Sequence, residues 1–162
     1  MIDAPATTTF AIRPLTIEEL PLCVPFGPSF MQEYDLPGVF NPDVFLKNWR
    51  YFLQSLTAVL YGLWDEGRVV GGIGGLVHPD LNTGDLHAVE CFWYVDPAYR
   101  NTLMAGRLPL TFKKWGKRHG AVRWKMIHLL AKDENPSTVK LAGFYERACK
   151  LKANEVVFDG PL

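Results

Sequence analysis

The stretch FWYVDPAYRNTLMAG, residues 92–106, decides how this chain is read. It starts as an apolar aromatic run, turns at Asp96-Pro97, passes Arg100, and enters a segment with helical spacing. A buried strand that runs into a helix start places unpaired backbone N–H groups at the strand's end. With the helix dipole, such groups attract phosphate oxygens. Arg100 would add a charge-assisted contact, and small residues beside it leave the backbone accessible. The expected anion seat is the N–H groups of Asn101, Thr102, Leu103, Met104, Ala105 and Gly106. An ordinary capped helix after a proline turn is the alternative. Neither GxGxxG nor GxxxxGK[ST] is present, so this is not a Rossmann or Walker loop.

Upstream, LHAVECFWYV (86–95) has the length and apolar end of a buried strand. TAVLYGLWD (57–65) and RVVGGIGGLVH (68–78) read as a hairpin around Glu66-Gly67, its second strand loosened by four glycines. FAIRPL (10–15) is a first strand, and Pro14 marks an edge or an end. Thr16 with Glu19 resembles a capping box, while Pro21, Pro25 and Pro28 forbid a long helix. A short helix is expected over 29–36. A stronger one is expected over 41–56, capped by Asn41 with Pro42 in its first turn. Downstream, the spacing predicts a helix over 101–120 that Pro109 kinks. A strand over 124–131, a helix within 134–150 and a closing strand in NEVVFDG (154–160) follow. Residues 1–9 read as a loose tail and 10–162 as one mixed α/β domain.

Composition narrows the function classes. The 162 residues are 48% apolar and 21% charged, which suits a globular domain with a core. Basic and acidic residues both number 17, so the net charge is zero. That balance withholds the broad basic surface of a nucleic-acid binder, although a local basic face stays open. Cys23, Cys91 and Cys149 form no CxxC, which argues against a zinc knuckle. An odd cysteine count also argues against a disulfide scaffold and fits a reducing, cytoplasmic setting. The N-terminus lacks a signal-peptide pattern, and no 18-residue apolar run suggests a membrane span.

The segment VDPAYRNTLMAGRL resembles motif A of the GCN5-related N-acetyltransferase (GNAT) superfamily, approximately V-x-P-x-x-R-G-x-G-x-G/A. Val95, Pro97, Arg100 and Ala105 match it; Asn101 and Leu103 stand where two glycines are usual. The order of elements is similar from FAIRPL to EVVFDG. The resemblance implies a GNAT-like α/β fold, a mixed central sheet with splayed fourth and fifth strands and flanking helices. It implies acetyl-coenzyme A as acyl donor, with the diphosphate on the motif. The pantetheine arm would lie along the backbone of Phe92, Trp93 and Val95; Asn135 and Ser137 would either touch it or cap the last helix. The FWYVDPAYR segment looks like phage-encoded members of the family.

Proton transfer needs a base for the amine and an acid for the leaving thiolate. Glu90 sits between apolar residues in a strand expected to be buried, where its pKa would rise. A Glu paired with a neighbouring strand or a hydroxyl is the alternative; His78, Asp85 and His87 are candidate proton relays, or plain turn and strand-end residues. The stretch FYERACK resembles the family's last helix, L/F-Y-E-x-x-G-F/Y, which implies Tyr145 as general acid. Tyr145 and Glu146 match; Cys149 and Lys150 depart from it. The acceptor pocket is expected from residues 17–56 and 78–86, with Phe26, Phe30, Tyr34, Phe40 and Trp49 as walls. Glu33 and Asp35 would draw an ammonium, so the partner expected is a small-molecule or peptide amine. A homodimer stays open. The rival readings are a non-catalytic protein that keeps the fold and an acyltransferase with another donor.

Overall fold

The computed structural model describes residues 10–129 and 136–153. The expected tail (1–9), the end of the strand predicted over 124–131, Asn135 and the closing strand (154–160) lie outside those residues. The chain divides into two compact units, 1–127 and 128–162, taken separately below.

The first unit is built on a five-stranded open sheet: β1 (Phe10–Pro14), β2 (Ala58–Asp65), β3 (Arg68–Pro79), β4 (Leu86–Val95) and β5 (Arg123–Lys125). They lie in sequence order across the sheet. The first four pair antiparallel, and β5 joins β4 in parallel. Glu66 and Gly67 both take positive φ (48° and 81°) between β2 and β3. This is the backbone that a two-residue hairpin turn demands. Pro14 ends the edge strand, where its missing N–H breaks no ladder.

A 3₁₀ segment (Ile17–Cys23) follows β1, and the Glu19 carboxylate accepts the Thr16 N–H at 3.0 Å as the capping box expects. Helix α1 spans Phe26–Glu33. It begins three residues earlier than expected because Pro25 and Pro28 fall at its start, where their missing N–H groups have no intrahelical acceptor anyway. Helix α2 spans Pro42–Leu53, and the Asn41 side chain accepts from the Asp43 and Val44 N–H groups at 3.0 and 3.1 Å. Asn41→Ala is expected to lower stability by about 1 kcal/mol, read as a fall in urea midpoint at constant m.

Helix α3 spans Leu103–Arg118 and runs unbroken through Pro109. The proline ring is fully buried, so the packing it gains offsets the one intrahelical bond it forfeits. The two faces of the sheet carry separate cores. Leu108, Phe112 and Trp115 of α3 pack on Leu63, Ile73, Ala88 and Val95. On the other face Leu20, Phe26 and Trp49 pack on Leu60, Phe92 and Tyr94. The glycines of β3 let both layers approach: a Cβ on Gly74 would stand 2.4 Å from the Trp49 ring.

The strand predicted over 124–131 is shorter, Arg123–Lys125. Residues 126–129 take no regular structure. In the second unit, α4 spans Pro136–Arg147. No helix among the described residues is long and apolar enough to cross a membrane.

Candidate active site

The site begins with a change of face inside β4. Gly74 pairs with Phe92 and Gly75 with Glu90, so Cys91 is an extra residue, a β-bulge. Ala88 and Phe92 are four apart yet belong to opposite cores, which the bulge explains. The parallel pairing of β4 with β5 covers only His87–Val89 against Arg123–Lys125. Past Val89 the two chains part. The Glu90 carboxylate spans the opening and accepts the Ile127 N–H at 2.9 Å. Glu90 is 5% exposed. Burial pushes its pKa up to about 7, against the opposing pull of the Ile127 N–H. A carboxylate of that kind takes and returns a proton near neutral pH.

At the other end of β4, about 16 Å along the strand by strand rise, the chain turns into α3. The Asp96 side chain accepts the Ala98 N–H at 3.0 Å and starts a single 3₁₀ turn, Pro97–Tyr99. The Tyr99 hydroxyl donates to Asp65 at 2.9 Å and accepts from Arg68 at 2.9 Å, which ties the turn to the β2–β3 hairpin. The Thr102 hydroxyl donates to the Tyr99 carbonyl and accepts the Ala105 N–H. Thr102 is therefore the helix cap, and the helix starts two residues later than the expected 101.

This narrows the anion seat. The Thr102 N–H is used by the Tyr99 carbonyl, and that of Ala105 by the Thr102 hydroxyl. Gly106 falls at the first position whose N–H bonds within the helix. Leu103 and Met104 are the two first-turn positions whose N–H groups have no hydrogen-bond partner among the described residues. Asn101 lies in the preceding turn, exposed. Leu103 is 83% exposed.

Arg100 does not extend freely toward this seat. Its Nε donates to the Val95 carbonyl at 2.8 Å, and its two Nη atoms donate to the Glu33 carboxylate at 2.6 Å each. Glu33 is thereby committed to an arginine, which corrects its expected role in drawing an ammonium. The expected aromatic pocket is corrected in part. Phe92 sits among Phe30, Phe45 and Trp49, with ring centroids 6.0 to 6.3 Å apart. Phe26 packs on Tyr94 and Phe40 on Phe45. Phe26 and Trp49 are core, because they line one face of the sheet, while Phe30, Tyr34 and Phe40 stay half-buried.

The other candidates fall as follows. His87 is buried 3.9 Å from an Asp80 carboxylate oxygen at the far end of β4. The exposed His78 bonds to the Pro79 carbonyl. Asp85 belongs to the same turn, where its N–H donates to the Thr83 hydroxyl. Trp93 is half-buried on the α3 side, and the Val95 carbonyl already serves Arg100. In the second unit, Tyr145 is buried on α4, edge-on to the His128 ring at 5.9 Å. Burial lowers the pKa of His128. Ser137 lies in the first turn of α4. The Glu33–Arg100 pair and the Ile127 contact were absent from the sequence reading, because contacts 67 and 37 residues apart leave no local pattern.

A family model described as acetyltransferase (GNAT) family matches residues 26–149. The chain belongs to that family. Its sheet, with the parallel pair at β4–β5, is the GNAT-like α/β fold. Solved acetyltransferase structures share this fold at low identity. An acetyltransferase from Trypanosoma brucei is 18% identical, with 95% of this chain and 100% of that one covered and a TM-score of 0.67. The aminoglycoside N-acetyltransferase AAC(6')-Iy, solved with CoA, is 15% identical over 98% of both chains, with a TM-score of 0.71. Glucosamine-6-phosphate N-acetyltransferase from Arabidopsis thaliana is 14% identical, covering 94% and 98%, with a TM-score of 0.68. No curated protein sequence matches this chain.

Proposed function

We propose that this GNAT chain moves the acetyl group of acetyl-coenzyme A to a primary amine by direct attack. One observation carries the reading. Glu90, buried with a pKa near 7, stands where β4 and β5 part, and α3 begins at the other end of the same strand. Two N–H groups, those of Leu103 and Met104, suit a diphosphate there. Among the described residues the parallel pairing of β4 ends at Val89 opposite Lys125, and an amide-bearing arm laid alongside β4 like a strand is read from there. The residues present therefore fit the donor.

When bound, the thioester supplies the activated acetyl group. Glu90 accepts the proton that the ammonium must lose before it attacks. The Tyr145 hydroxyl, assigned by its match to the family's last helix, returns a proton to the leaving thiolate. Asn135 and Ser137 are proposed to meet the arm. The acceptor is a small-molecule or peptide amine. Of the rings first assigned to its wall, Phe26 and Trp49 are core, which leaves the half-buried Phe30, Tyr34 and Phe40 and the loops.

Calorimetry with acetyl-coenzyme A tests the reading, followed by an amine panel read as thiol release. Tyr145→Phe is expected to keep coenzyme affinity while lowering kcat by about 100-fold. No detectable binding at millimolar acetyl-coenzyme A would sink the proposal. Bound-ligand mass spectrometry separates acetyl from another acyl donor.

A further inference from the structure

Arg100 is expected from its sequence position to grip a phosphate. A guanidinium holds an oxyanion through a free edge that presents two parallel N–H groups. Here the outer edge of the group is taken by both oxygens of Glu33, and the Nε–H by the Val95 carbonyl. No pair of parallel N–H groups is left. The pair is only partly exposed, at 32% for the Arg100 side chain and 22% for that of Glu33. Such a bidentate contact holds more firmly than an open surface ion pair.

The placement of Glu33 also says what the contact is for. Glu33 is the last residue of α1, where the helix dipole disfavours a carboxylate. A cation placed against it offsets that cost. Arg100 does this while closing the turn from Val95 to Arg100 on itself. It therefore fixes three things together: the end of β4, the turn that leads into α3, and the end of α1. That turn sets where the Leu103 and Met104 N–H groups point. Bond partners within one turn govern an anion seat through direction, since a rigid donor pair loses little freedom on binding.

We propose that Glu33 and Arg100 are positioning residues for the acyl donor: the pair braces the turn that aims the α3 N–H groups, and Arg100 is not itself the diphosphate ligand. The inference rests on the acetyl-coenzyme A reading above and adds the residues that shape its seat.

The test is the sign of one substitution. Glu33→Gln keeps the shape but drops the charge and one of the two acceptors. Bracing predicts that it weakens coenzyme A binding by about tenfold in calorimetry, with kcat at saturation little changed. Glu33→Asp, which keeps the charge on a shorter arm, should fall between it and the wild type. If Arg100 were the ligand, freeing it from Glu33 would leave affinity unchanged or tighten it, and either result overturns the proposal. Each protein is assayed well below its unfolding midpoint, so lost stability does not read as lost affinity. Hydrogen exchange supplies a second readout: Glu33→Gln should speed exchange over 96–105 and not over 108–116. Equal exchange over both segments would also overturn the proposal. A wild type that binds no coenzyme A overturns the donor reading and this inference together. A wild type that binds, with Glu33→Gln binding equally well, overturns this inference alone.

Discussion

Glu90→Gln is expected to lower kcat by about 100-fold or more while the fold and coenzyme affinity persist. The amide oxygen of Gln can still accept the Ile127 N–H, so the contact that bridges the parting strands is kept. What disappears is a group able to take a proton. The kcat/KM of the wild type should rise with pH through about 7, the value to which burial pushes Glu90. That limb should be missing in the variant, leaving only ionisation of the acceptor amine. An unchanged rate and pH profile would make Glu90 a purely structural link between β4 and the chain at 127.

The same carboxyl makes a prediction about stability that needs no substrate. Its folded pKa, about 7, lies above the ordinary 4.5. The folded state therefore holds this proton more tightly than the unfolded chain does. Its contribution is fully present below pH 4.5, falls as pH rises, and is gone above about 7. The loss is on the order of 3 kcal/mol at most. Glu90→Gln removes it, so the variant should gain stability over the wild type between pH 5 and pH 8. Urea unfolding at the two pH values checks this. Parallel pH dependence in the two proteins would mean that Glu90 titrates as it does in water.

Gly75→Ala should have the largest effect on stability, about 3 kcal/mol of destabilisation. A Cβ there would stand 2.1 Å from the Val89 carbonyl oxygen and 2.9 Å from the Glu90 Cα, both backbone. On the other side Phe112 is 2.8 Å away and fully buried, so it has nowhere to go. Relief requires β4 to move at its bulge, which is where Glu90 is set. The variant should therefore lose turnover beyond what its unfolded fraction explains, measured at a temperature where it remains folded. A stability change under 1 kcal/mol would show that β4 can shift without cost, and would remove the bulge as the device that places Glu90.

Local chemistry made much of this protein legible without coordinates. The period-two runs, the Glu66-Gly67 turn, the Asn41 cap and the Thr16–Glu19 box act within a few residues, so their spacing alone marks β2, β3, β4 and α2. The segment VDPAYRNTLMAGRL located the strand-to-helix turn, and Glu90 stood out as a charge in an apolar strand. Pro109 misled, because a helix interior penalises proline unless burial offsets the lost bond, and burial is a tertiary fact. The strand at 124 was over-extended for a related reason: an apolar run does not say where its neighbour stops pairing. Phe26 and Trp49, two rings of the expected aromatic pocket, turned out to be core, since sequence counts rings but not which face they fill. By itself, then, the sequence determined the order of elements, the family motif and the candidate base. Only the tertiary structure decided that Arg100 is held by Glu33 and that Glu90 accepts the Ile127 N–H. Those depend on residues 37 to 67 positions apart meeting in space, and their contact energies are set by burial and direction, which no local pattern encodes.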